Sequence, residues 1–343
     1  MKALYFIIIA LALVSCIKEK PQEPQKTVAN IAYDDKVLVI NEGNFGWGVG
    51  YISLYDPTSG AVIEKYDQQQ NSGNTLGNVC QSITKHNSNY YIVVNNSNKI
   101  VVVNSSDFVQ KNTITGFNSP RYLLPITYNK AYVSDLYANS IQIVDLNTNS
   151  ISGSIPCIAG TEEMALIYNK AFVTCTNSNY CYVINTITDV ITDSVYVGKS
   201  ASSIIIDKYS KIWVLSSGNT TSAQLAKLSR INPITLQVEQ AYTFNSNESP
   251  FRLCTNKTKD TLYFLNKGVF QMPITSSNLP NNAIISQGSK NYYALSVNPK
   301  DYSIYVADAI DYVQRSKVEI YKPNGSYITN FTAGIITNGF MFE

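Results

Sequence analysis

One five-residue phrase returns seven times along this 343-residue chain: "VLVIN" at 37, "YIVVN" at 91, "AYVSD" at 131, "AFVTC" at 171, "IWVLS" at 212, "LYFLN" at 262 and "IYVAD" at 304. Aligned on the second position, the copies bring Leu38, Ile92, Tyr132, Phe172, Trp213, Tyr263 and Tyr305 into register, at intervals of 54, 40, 40, 41, 50 and 42 residues. A period near 40 that holds several strand-like segments is the spacing of a β-propeller blade. Seven phrases predict seven blades.

The segments between the phrases fit that reading. A further strand follows each phrase after a loop, as in "YISLYDPTSG", "KIVVVNSSDF" and "SIQIVDLNTN", and runs into the Asp, Asn or Pro of a turn. A last strand such as "AVIEKY" or "SISGSI" completes the period. Apolar stretches just before the phrases, among them "RYLLPITY", "SSIIID" and "YYALSVN", are expected to be the innermost strands, walled in by their neighbours. The first phrase has no clear inner strand before it, and the chain ends in the strand-like "GIITNGFMFE" with nothing after it. The all-β fold class is therefore a seven-bladed propeller in which the C-terminal strand joins the first blade and leaves no bare sheet edge. The 25 tyrosines suit many short strands.

The N-terminus carries a separate signal. Lys2 precedes the apolar run Ala3 to Val14, too short for a membrane span, and "LVSC" puts a small residue before Cys16. The layout resembles the lipobox of bacterial lipoproteins, so residues 1–15 are expected to be a signal peptide and Cys16 the lipidated first residue. The Pro- and Gln-rich stretch "IKEKPQEPQKTVAN" lacks apolar periodicity and reads as a tether over 16–30, leaving 31–343 as one propeller domain. Its "KE" resembles the signal that sends lipoproteins of the Bacteroides group to the outer surface of the outer membrane.

The phrases "VLVINEGNFGWGVGYISLYDPTSG" and "SPRYLLPITYNKAYVSDLYANSIQIVDL" resemble the YncE-like seven-bladed propellers, and more closely the surface propeller lipoproteins of the Bacteroides type. That group includes the BtuG-type proteins, which capture cobalamin beside an outer-membrane transporter. The resemblance covers nearly all of the mature chain. It implies a corrinoid as bound ligand and a transporter as partner.

Catalytic chemistry is sparse in the sequence. A net charge of +2 without a basic run argues against nucleic acid. The only histidine, His86, stands alone in the turn "TKHNSN". Cys80, Cys157, Cys175, Cys181 and Cys254 show no C-x-x-C spacing; Cys175 and Cys181 either face each other across a hairpin or join the others as small core residues. Glu162 and Glu163 in "GTEEM", with Asp308 and Asp311 in "DAIDY", are read as loop carboxylates. Carboxylates converging on the axis would suit the divalent cation of a propeller lactonase. The expectation is no catalytic residue, no metal and no cofactor.

Binding chemistry is plentiful. The loops after each phrase and those leading to the next inner strand open on one face, rich in Asn, Ser and Gly. Candidate ligand contacts there are Asn44, Phe45, Trp47, Arg121, Tyr122, Tyr137, Arg252 and Tyr292. The stretch "NEGNFGWGVG" at 41–50 holds more glycine than a tight hairpin needs. Either it curls over the face and offers Phe45 and Trp47 to a ligand, or Trp47 plugs its own blade. Arg121 and Arg252 occupy equivalent places and either bind ligand or brace neighbouring loops. The leading expectation is a non-catalytic receptor for a corrinoid; a structural or adhesive protein with a glycan or protein partner is second, and a metal-dependent hydrolase third.

Overall fold

Each phrase forms a strand shut from solvent: all five residues are buried in all seven copies. Its place explains why, since it is the second strand of a four-stranded antiparallel blade and has neighbours on both edges and both faces. The computed structural model describes residues 35–343; the expected leader at 1–15, Cys16 and the tether over 16–30 lie outside the described residues.

Seven such sheets form the ring. The inner strands are Thr337–Phe342, Cys80–His86, Pro120–Pro125, Thr161–Ile167, Ala201–Ile206, Phe251–Thr255 and Tyr292–Val297, for blades 1 to 7. They are not the most enclosed strands, contrary to the expectation, because alternate side chains face the axial channel; the burial maximum falls on the phrase strands instead. The apolar core is accordingly a set of wedges between blades. In one, Tyr91, Val93, Ile100 and Val102 of blade 2 meet Leu123, Ala131, Val133 and Val144 of blade 3. Each fully buried side chain of this size contributes about 1.5–3 kcal/mol.

The residue that closes each phrase is buried too, and in most copies it holds the link from the preceding blade, whereas Asn95 reaches Ser119 and Pro120 of the next one. Asp135 accepts the backbone N–H groups of Asn118 (3.0 Å) and Ser119 (2.8 Å), Ser216 Oγ donates to the Val197 carbonyl (2.9 Å), and Asp308 accepts the Asn291 N–H (2.8 Å). A polar end to an apolar strand is thus a repeated staple.

Closure follows the sequence. Thr337–Phe342 pairs with Val37–Asn41, matching Val37 with Phe342 and Leu38 with Met341. Asn41 seals the seam: its Nδ2 donates to Ser53 Oγ (3.1 Å), and its Oδ1 accepts the Gly334 N–H (2.9 Å) and Thr337 Oγ1–H (2.8 Å). A Cβ on Gly334 would lie 2.5 Å from Asn41 Cγ, so this crossing requires glycine.

The two long periods have separate causes. After the outer strand of blade 1, only Val62–Ile63 rather than the whole of "AVIEKY", the chain makes the short helix Tyr66–Gln70 and a loop to Gly77. In blade 5 the extra length lies chiefly between Ile212–Ser216 and Lys227–Ile231. Val37–Asn41 runs from the face that carries the turns between inner and second strands to the opposite face. We call these the turn face and the loop face.

Candidate functional site

The loop over 42–50 rises from the loop face of blade 1 and is pinned from beneath. Gly50 N–H donates to the Gly77 carbonyl (2.8 Å); a Cβ on Gly50 would lie 2.5 Å from the Cys80 nitrogen. Asn78 organises the tip. Its Nδ2 donates to the carbonyls of Asn44 (2.9 Å) and Gly48, while its Oδ1 accepts from Gly46 N–H (2.9 Å) and Asn96 Nδ2 (2.6 Å). Asn44 Nδ2 reaches across to the Tyr312 carbonyl of blade 7 (2.6 Å). The glycines permit this close packing, and the aromatics are left outside it: Phe45 is 69% exposed and Trp47 95%. Trp47 does not plug the blade.

The axis is built differently. In every blade the pairing of inner and second strands shifts register near the loop face, a bulge that re-aims side chains. The second residues of the seven inner strands are Asn338, Gln81, Arg121, Glu162, Ser202, Arg252 and Tyr293. Six of them link across the mouth of the channel. Arg121 Nε donates to both oxygens of Glu162 (3.1 and 3.0 Å) and its Nη1 to Gln81 Oε1. Arg252 donates to the Tyr293 carbonyl (3.0 Å) and to Asn338 Oδ1 (2.8 Å), and Asn338 Nδ2 to the Gln81 carbonyl (2.7 Å). Arg252 holds φ at +58°, a strained value for its side chain.

Carboxylates complete the axis. Glu42 accepts a long bond from Tyr293 Oη (3.3 Å); burial raises its pKa, opposed by Arg252 and Arg121. Beneath the ring lies a cavity of about 250 Å³ that Tyr122, Glu163 and Arg252 line. Burial pushes Glu163 up to about 7, although it accepts the Ile204 N–H at 3.1 Å.

Residues 35–337 match the family described as Domain of unknown function (DUF5074). The chain belongs to the DUF5074 family. No curated protein matches this DUF5074 chain. Among solved structures it is similar to a quinonprotein alcohol dehydrogenase-like protein from Bacteroides thetaiotaomicron, at 12% identity and a TM-score of 0.72 over 90% of this chain and 78% of that one. The periplasmic gluconolactonase of Pseudomonas aeruginosa gives 10% identity and 0.68 over 90% and 98%. The computationally designed Ika8 protein gives 9% and 0.61 over 89% and 91%. At such identities the likeness shows the propeller fold alone.

The DUF5074 propeller sorts the eight candidate contacts into three groups. Asn44, Phe45, Trp47 and Tyr137 stand on the loop face, Tyr137 at 67% exposure. Arg121, Tyr122 and Arg252 are at the axis, and both arginines brace neighbouring blades. Tyr292 is a correction: it is 3% exposed, and its Oη lies in a buried cluster with Glu319 Oε2 (3.0 Å) and Tyr321 Oη (3.3 Å). The bulge between Tyr292 and Ala294 turns Tyr293, not Tyr292, to the axis. Of the neighbouring aromatics, Phe117 is buried in the core and Phe251 is half-buried against it.

Glu162 and Glu163 belong to an inner strand, not a loop, whereas Asp308 and Asp311 cap turns. His86 is at the turn face, bonded to the Tyr128 carbonyl at 3.0 Å. All five described cysteines are free, so Cys175 and Cys181 do not pair. Among the described residues no group of three His, Cys, Asp or Glu side chains is placed to hold a metal. Sequence reading missed Glu42, Asn78, Gln81, Tyr293 and Asn338. The only signal for the ring was its constant offset, two residues into each inner strand.

Proposed function

We propose that this DUF5074 protein is a non-catalytic receptor, lipidated at Cys16 and outward-facing on the outer membrane. It captures a broad polar ligand on its loop face and passes it to a membrane transporter. The carrying observation is the loop over 42–50: it is tightly bonded, yet holds Trp47 95% exposed and Phe45 69% exposed. Solvent gains nothing from two ordered aromatics, whereas a flat ligand gains rigid contact area at low entropy cost. The resemblance to Bacteroides-type surface propellers makes a corrinoid the first ligand to test. Its amide-edged ring suits a face of Asn, Ser and Gly with Tyr137 as a further platform.

Isothermal titration of the purified protein with cyanocobalamin tests this reading. Tight one-to-one binding that weakens about tenfold or more in Trp47→Ala is expected, the loss of one aromatic anchor. Absence of both heat and Trp47 fluorescence quenching would remove the corrinoid and leave a glycan or protein partner. Lactone hydrolysis abolished by chelator would replace the receptor reading with the enzyme one. Membrane release in Cys16→Ala, with loss of protease sensitivity on whole cells, tests the anchor.

A further inference from the structure

A second recess, of about 370 Å³, opens beside the same loop but away from the axis, where blades 1 and 7 meet. None of its lining residues belongs to an inner strand. Its volume falls at the lower end of small-molecule sites. Its charges are unequal. Glu64 has both oxygens engaged, Oε1 by Tyr51 Oη–H (2.9 Å) and Oε2 by Arg315 Nη2 (3.1 Å). Arg315 is steadied in turn by a bond from Nε to the Ala333 carbonyl (2.8 Å).

Lys65 has no salt-bridge partner among the described residues, although the buried Asp67 carboxylate two residues on feels its charge. Its ammonium lies 5.9 Å from the centre of the Tyr51 ring and forms no ion pair among the described residues. Its backbone is held at φ 53°, ψ 43°, the left-handed region, just before the helix Tyr66–Gln70. Strain in a lysine persists where the surroundings fix it. Two further lining side chains, Gln68 and Thr75, make no hydrogen bond among the described residues. The recess thus offers one free positive charge, a fixed and internally balanced Glu64–Arg315 pair, and unpaired amide and hydroxyl groups.

We infer that this recess is a binding site for an acidic monosaccharide, a hexuronate-sized polyol with one carboxylate. The carboxylate meets Lys65, and ring hydroxyls exchange hydrogen bonds with Gln68 and Thr75. A zwitterionic amino acid fits less well, because its ammonium would need a free carboxylate and Glu64 is already occupied. A neutral sugar would cover Lys65 without pairing it. The inference shares the 42–50 loop with the corrinoid reading, since Gly43, Asn44, Gly48 and Val49 line the recess, but it uses neither Trp47 nor the axial ring.

The test titrates the purified protein with D-glucuronate, D-glucose and glycine at constant ionic strength, then repeats it with Lys65→Asn. Asn suits left-handed backbone, so the variant keeps the fold while losing the charge. Glucuronate is expected to bind at least tenfold more tightly than glucose, and Lys65→Asn to erase that preference with unchanged melting temperature. Equal binding of glucuronate and glucose, no binding of either, tighter binding of glycine, or an unaffected Lys65→Asn would each overturn the assignment. Should Lys65→Asn unfold, Gln68→Ala replaces it, with a severalfold loss of glucuronate affinity expected and no loss overturning the assignment. Cyanocobalamin titrated into the same variant separates the two sites, since its binding is expected to be unchanged.

Discussion

The axis and the 42–50 loop share one face and treat their side chains in opposite ways. At the axis, charged groups that water would welcome are withdrawn and bonded to one another: Arg121 to Glu162 and Gln81, Arg252 to Asn338 and the Tyr293 carbonyl. On the loop, apolar groups that water disfavours are pushed outward, although the backbone beneath them is held by the bonds around Asn78. The contrast separates brace from display. Buried charges tie the inner ends of the blades together, and the exposed aromatics stand on the rim.

Four changes test that division, from the largest effect to the smallest. Deleting residues 334–343 removes Asn338 from the ring and an entire inner strand, so cooperative unfolding should vanish from the melting curve; a normal transition would break the closure account. Arg121→Met leaves Glu162 buried without its partner and should cost about 3–5 kcal/mol in urea unfolding. A cost below about 1 kcal/mol would mean that the axial arginines are not braces.

Glu163 sharpens the comparison through pH. Its folded pKa of about 7 lies above that of an unfolded glutamate, so its contribution is fully present at low pH and is lost as pH rises from about 4.5 through 7. Glu163→Gln should therefore be more stable than the parent at pH 8, by about 1–3 kcal/mol, and equal to it near pH 4.5. The opposite slope in paired melting curves would contradict a carboxyl destabilised by burial. The smallest effect on stability is expected on the rim: Trp47→Ala should change unfolding free energy by less than about 0.5 kcal/mol. A larger loss would show that Trp47 packs.

The blades were legible because each repeats the same chemical demand. A strand enclosed on all sides selects Leu, Ile, Phe, Trp or Tyr at the position of Leu38, Ile92 and Trp213, and its end selects a small polar staple, so the period survives divergence. The missing inner strand of blade 1 was legible for the same reason. The axial ring was not. Its members are chemically mixed, from Ser202 to Arg252, since each answers to a different neighbour across the channel. A bulge also shifts the alternation of faces by one residue, which sequence does not register. Tyr292 and Tyr293 show the consequence: adjacent and identical, one is core and the other axial. In the 42–50 loop, glycine content announced close packing, but only the bonds around Asn78 decide which way Phe45 and Trp47 point.

The seam at blade 1 also sets a direction of presentation. Asp35 and Lys36 sit at the turn face, where Lys300 Nζ reaches Asp35 at 2.7 Å and the Lys36 carbonyl accepts the Glu343 N–H at 3.1 Å. Val37–Asn41 then crosses the ring to the loop face. Any attachment made through the residues before Asp35 pulls on the far end of the molecule from Trp47. The chain thus enters the ring at the face opposite the one that carries Phe45 and Trp47.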